Sequence, residues 1–135
     1  MTSWTSDELA RISAADELRI APRRRDGTLP RPVTIWVVRH GDDFYVRSVN
    51  GPGAAWFRGT QVRHEGRIWA GGLEKDVTFE EIDHDLDDEL DGAYGAKYRR
   101  YGPGIVGSTL TPHARLATLR LVQSLPTSAN RAGNR

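Results

Sequence analysis

Arg47 and Ser48 close an apolar run and lead at once into Asn50, Gly51, Pro52 and Gly53. A guanidinium fork holds a phosphate at two points, and a hydroxyl beside free turn amides adds donors, so this corner has the chemistry of a phosphate site. The competing reading is structural: Arg47 pairs with an acidic neighbour and Ser48 caps the turn. Gly53, with Gly51, either lets the backbone approach a ligand closely or simply makes a tight turn. Trp56, Phe57 and Arg58 follow directly. Trp56 reads as the wall of a site or as a core anchor, and Arg58 offers further charge to a phosphate. Trp36, upstream in the same stretch, suits stacking on a planar ring or packing in a barrel, and so does Trp69. Lys97 sits among Tyr94, Tyr98 and Tyr101, where it either donates to an anion or snorkels from a packing face.

Other chemistries have little support. The chain has no cysteine, which removes disulfides, thiolate metal sites and a cysteine nucleophile. His40, His64, His84 and His113 lack ligand spacing, and His84 beside Asp83, Asp85 and Asp88 reads as a solvated helix start, so no metal is expected. Neither a G-x-S-x-G elbow nor a glycine-rich nucleotide loop is present. The net charge of +1 gives no electrostatic case for nucleic acid. Arg23, Arg24 and Arg25 form the only basic run, a solvated turn or an anion site. No apolar stretch approaches the ~20 residues of a membrane helix, and Met1–Ala15 lacks a signal-peptide core. The expectation is a cytoplasmic protein that neither enters a membrane nor binds nucleic acid.

The elements around these residues are mostly strands. The 135 residues suit a single domain, and 14 glycines between apolar runs favour short strands and turns. Thr5 and Glu8 form a capping box for a helix ending near Ala15. Strands are expected at Leu18–Arg25, Val33–Arg39, Phe44–Val49, Gln61–His64, Arg67–Ala70, Lys75–Ile82 and Arg115–Val122. Val33–Arg39 is apolar on both faces and should be covered on both. In Phe44–Val49, Phe44, Val46 and Ser48 share one face and Tyr45, Arg47 and Val49 the other. Ala54–Thr60 suits one helical turn. Asp85–Tyr101 reads as a long helix with acids first and bases last, as the dipole prefers. The fold class is therefore mainly β with two helices (α+β): an antiparallel barrel of six to seven strands, an N-terminal helix, and one helix inserted before the last strand. Residues 1–123 make this single domain and 124–135 read as a disordered tail.

The run PVTIWVVRHGDDFYVRSVNGPGAAWFRG resembles the central motif of the pyridoxamine-phosphate-oxidase-like, FMN-binding split β-barrels. AGGLEKDVTFEE and AYGAKYRRYG fit that barrel's next strands and its inserted helix. Residues 4–122 are similar to a small family of unknown function in this superfamily. The resemblance implies a homodimer that holds FMN or a deazaflavin coenzyme, with no metal, at the subunit interface. It implies cofactor binding by Trp36, Arg47, Ser48, Gly53, Trp56, Arg58 and Lys97, and an oxidoreductase acting on a small molecule. The sequence departs from the Trp-x-x-Asn-Leu pattern of deazaflavin-binding relatives: after Trp56, Gly59 stands for the asparagine and Thr60 for the leucine. That departure supports the alternative, a non-enzymatic barrel that binds a small ligand or an interaction partner.

Overall fold

A computed structural model describes residues 3–124. The strands are β1 (Leu18–Pro22), β2 (Val33–Ile35), β3 (Val38–His40), β4 (Asp43–Arg47), β5 (Glu65–Ala70), β6 (Leu73–Glu81) and β7 (Thr118–Gln123). They form one sheet in the order β2-β1-β5-β6-β7-β4-β3, with every pair antiparallel. The sheet edges β2 and β3 are separated in sequence only by Trp36 and Val37. Three Cα–Cα steps span at most about 11 Å, whereas the outer strands of a flat seven-stranded sheet stand about 29 Å apart. The sheet must therefore curl until its edges meet, which gives a split barrel with its seam at Trp36–Val37.

This seam corrects one expectation. Val33–Arg39 is two strands, not one, because the chain leaves one edge and joins the other midway. Trp36 thus sits at the break between strands. Val33 and Thr34 are exposed, so the N-terminal half is not covered on both faces. At the break, Val37 lies in neither strand, and side chains satisfy its backbone. Val37 N–H donates to the Tyr98 hydroxyl at 3.1 Å, and its carbonyl accepts from Tyr98 at 3.0 Å and from Lys97 Nζ at 2.8 Å.

Five α-helices surround the sheet where two were expected: α1 (Ser6–Ala14), α2 (Ala55–Arg63), α3 (Asp87–Lys97), α4 (Pro103–Gly107) and α5 (Pro112–Leu116). The Thr5–Glu8 capping box is present in full. The expected strand Gln61–His64 is the end of α2, which closes on His64 in a left-handed conformation (φ 58°). Arg115 and Leu116 belong to α5, so the last strand begins at Thr118. Thr111 caps α5 and Pro112 occupies its first turn, a start signal that takes these residues from the strand. The long helix is shorter than expected: α3 is flanked by 3-10 turns at His84–Leu86 and Arg99–Tyr101. The tail expected over 124–135 lies, apart from Ser124, outside the described residues. Among the described residues, no helix is long and apolar enough to cross a membrane.

The barrel interior is filled by Ile20, Phe44, Val46, Ile68, Phe79, Leu119 and Leu121, and α1 covers it through Leu9 and Ile12. Phe44 and Val46 point inward as their alternation requires. Tyr45, on the opposite face of β4, joins Val38, Leu90, Tyr94, Tyr98 and Val106 in a second core beneath α3 and α4. Arg47 shares that outer face with Tyr45.

Candidate functional site

The second core opens into a cleft of about 350 Å³ at the seam. β2 and Trp36 form one wall; the end of β4 and Ser48–Asn50 form the floor; Trp56, Tyr94 and the Ile105–Thr109 segment close the rest. Volumes of this order hold small-molecule ligands. Trp36 is backed by Tyr98, whose ring stacks on it at 3.9 Å and 2°.

Arg47 lies beneath this cleft with its side chain fully buried (0% exposed). Its Nε donates to Thr118 Oγ1 at 3.1 Å, and its Nη1 donates to Asp91 Oδ1 at 2.6 Å and to the Thr109 carbonyl at 2.9 Å. Nη2 reaches the Asp87 carbonyl at 3.4 Å and the Asp87 carboxylate at 3.9 Å. The guanidinium carbon also lies 5.4 Å from the centre of the Tyr94 ring. Asp91 turns its other oxygen to Arg115. Burial would raise the Asp91 pKa, but the Arg115 and Arg47 guanidiniums more than reverse this and hold it below the usual carboxylate value. A phosphate could not take both arms of this fork without displacing Asp91 or a backbone carbonyl. The geometry therefore makes Arg47 the pin that fastens α3, the Thr109 turn and β7 to the end of β4.

Two other residues in the lining have unmet capacity. Ser48 is fixed through its backbone, its N–H donating to Ala117 O at 3.0 Å and its carbonyl accepting from Gly51 N at 2.9 Å. Its hydroxyl is buried and, among the described residues, has no hydrogen-bond partner; the Tyr94 hydroxyl, beside the Arg47 backbone, also lacks one of good geometry. Buried hydroxyls ordinarily find partners, since leaving one unpaired costs about 1–3 kcal/mol. The spacing of Tyr94 on α3 identifies a packing face in the sequence but not the state of its hydroxyl.

The cleft brings together Trp36, Arg47, Ser48 and Trp56. Gly53, Arg58 and Lys97 lie outside its lining. Space beside Gly53 is open, while the close approach is at Gly51: with φ 78°, a Cβ there would lie 2.0 Å from the His113 ring. The tight turn is packed against its own chain. Arg58 is exposed on α2. Among the described residues, no three histidine or acidic side chains gather where they could hold a metal.

Lys97 serves the seam. Burial lowers its pKa to about 8, with Asp16 opposing and Arg100 adding to the shift. The unfolded chain would lose that proton near about pH 10.4. Between these values the unfolded state holds more protons, so stability rises with pH. Above that window the Tyr94 and Tyr98 phenols, both pushed up by burial, act in the opposite sense. Thermal midpoints should climb from pH 8 to 10, and the climb should be absent in Lys97→Met; identical profiles for the two proteins would contradict the assignment.

A sheet curled until two chain-adjacent strands meet, with a ligand-sized cleft at the seam, defines a split β-barrel. The chain belongs to the family described as an uncharacterized protein conserved in bacteria (DUF2255), which matches residues 8–121. Its fold is similar to the heme storage protein HutZ from Vibrio cholerae (TM-score 0.61, 12% identity, 92% of each chain covered). It is also similar to an F420-H2 dependent reductase (TM-score 0.58, 15% identity, 79% of this chain and 93% of that one). A FAD-binding protein from Mesorhizobium loti is a further neighbour (TM-score 0.51, 13% identity, 92% and 93% covered). No curated protein matches the chain in sequence.

Proposed function

We propose that this protein binds a flavin-type ring, FMN or a deazaflavin coenzyme, in the seam cleft, and that a second copy of the chain completes the site. The observation that carries this reading is an aromatic-walled cleft whose lining residues include Ser48 and Tyr94, each with a buried hydroxyl that lacks a hydrogen-bond partner among the described residues. Such groups suit the carbonyls and ring nitrogens of a planar heterocycle. When bound, a ring of this kind supplies hydride or electron transfer itself. The chain's part is to present Trp36 and Trp56 as walls, to offer the two hydroxyls, and to keep the floor rigid through Arg47. The Tyr94 phenol is pushed up by burial and the Arg47 guanidinium is paired, so neither is a ready proton shuttle at neutral pH. An oxidoreductase built here takes its chemistry from the ring; without that chemistry the same cleft makes a ligand carrier.

Heme, which the HutZ likeness suggests, fits less well. Among the described residues the cleft lining contains no histidine, cysteine or methionine, leaving only a Tyr94 phenol whose ionisation burial opposes.

Titration of the purified protein with FMN and with the deazaflavin coenzyme, followed by fluorescence, tests the reading. Ser48→Ala and Tyr94→Phe should each weaken binding about 5- to 10-fold, the loss of one hydrogen bond of roughly 1–1.5 kcal/mol. The ligand-free variants should melt at or slightly above the wild-type temperature, because each change removes an unpaired buried group. A folded protein that binds no such ring, or that sediments as a monomer in its presence, would sink the proposal.

A further inference from the structure

A second cleft, of about 430 Å³, shares the walls Val33 and Trp56 with the first. Its far side is the loop between β1 and β2, which lines it with Arg23, Arg24, Arg25 and Arg31. Arg23 is engaged, at 3.8 Å from Glu65 and 3.5 Å from Asp76. Arg24, Arg25 and Arg31 are exposed, and among the described residues none of them has a carboxylate within ion-pair distance. The Arg24 guanidinium makes only long contacts within its own loop, at 3.3 Å to Thr28 Oγ1 and 3.4 Å to the Leu29 carbonyl. The one acid in the loop, Asp26, is turned back onto Thr28, accepting from its hydroxyl at 2.7 Å and its N–H at 3.0 Å. Three cationic side chains thus stand around a groove whose base is apolar: Val33 is 40% and Val62 45% exposed, with Trp56 between the two clefts. Arg58 lies one helical turn from both Ala55 and Val62, which line this groove. The charge missing from the first cleft, where Arg47 is consumed internally, is available next door.

We propose that this second cleft holds the anionic end of the ligand whose ring occupies the first, and that the ligand is one whose tail carries two or more negative charges past Val33 and Trp56. This inference rests on the ring-binding reading above. A ring with a short monophosphate would leave the arginine groove empty. A ring extended by a pyrophosphate or by a chain of carboxylates would fill it, with the Val33, Trp56 and Val62 surface packing against the tail's stem. The polar turn that follows β1 is then a specificity element, separating long-tailed from short-tailed members of one ligand class.

The experiment compares dissociation constants for riboflavin, FMN, FAD and the deazaflavin coenzyme with and without its oligoglutamate tail, at 50 and 300 mM NaCl. FAD or the tailed deazaflavin should bind at least about tenfold tighter than its short-tailed counterpart at low salt, and most of that gain should vanish at high salt. The triple variant R24A/R25A/R31A should abolish the gain while leaving the melting temperature and the riboflavin affinity unchanged. Riboflavin bound normally, with tailed and tail-less ligands equal or with the gain intact in the triple variant, overturns this inference and leaves the ring site standing. Failure of every probe to bind overturns both.

Discussion

Arg47→Ala should lower the melting temperature by about 10–20 °C, whether or not any ligand is present. Removing one partner of a buried ion pair leaves the other charge uncompensated, at a cost of about 3–5 kcal/mol, and each kcal/mol shifts the midpoint of a domain this size by roughly 3–5 °C. In this protein Asp91 Oδ1 and the Thr109 carbonyl would lose their donor, while Asp91 keeps Arg115 on its other oxygen and Thr118 Oγ1 keeps its bond to the Arg115 carbonyl, which places the loss at the lower end of that range. Arg47→Lys should recover little, since an ammonium cannot reproduce three bonds in fixed fork geometry. Pairing Arg47→Ala with Asp91→Ala in a double-mutant cycle should show coupling, because the two side chains share one buried ion pair. Chemical denaturation reads all four corners. A phosphate clamp predicts something different: near-normal stability with lost anion affinity. That result would return Arg47 to the ligand site.

The distinction matters for how the cleft works. A fully paired arginine in the floor is rigid, and rigidity is what keeps Ser48 and Tyr94 from relaxing toward partners of their own. The backbone of Ser48 is tied to Ala117 and Gly51, and Tyr94 is wedged between the Arg47 guanidinium and the Tyr98 ring, 6.1 Å from its centre. Unpaired hydroxyls persist where neighbours hold them in place, and such sites are typically functional.

Some local signals in the sequence translate directly into structure, whereas the alternation at Gln61–His64 and Arg115–Leu116 belongs to helix ends, and long-range pairings leave no mark. Thr5 and Glu8 announce α1 because both partners of the capping box lie within one turn. Phe44 to Arg47 announces which residues face the barrel because alternation is a property of one strand. Trp36–Val37 carries no such mark: Val33–Arg39 is uniformly strand-forming, and the break exists only because the two sheet edges must meet there. Arg47 was identifiable as a residue that must bind something. Its partner Asp91 is 44 positions away on α3, beyond what spacing can reveal. The short helices α4 and α5 did leave traces in Pro103 and in Thr111–Pro112, which read as helix starts once the alternation of the following strand is set aside. The arginine turn after β1 was legible as basic, but its adjacency to Val33 and Trp56 follows from barrel closure alone.

Tyr98 joins the two halves of this picture, and two substitutions there should separate them. Tyr98→Ala removes a fully buried ring, the seam contacts of Val37 and the backing of Trp36 together. Loss of a buried aromatic costs about 3–5 kcal/mol, and a Trp36 wall left unsupported should weaken ring binding by more than about tenfold, one hydrogen bond's worth or greater. Tyr98→Phe keeps the stack and deletes only the hydroxyl. Val37 N–H then loses its acceptor, at about 1–3 kcal/mol, while Lys97 still serves the Val37 carbonyl. Stability should therefore fall in both variants, but affinity for the ring should fall only in Tyr98→Ala. Equilibrium denaturation and the fluorescence titration read the two quantities separately. If Tyr98→Phe weakened binding as much as Tyr98→Ala did, the seam itself, and not the stacked wall behind Trp36, would set the shape of the cleft.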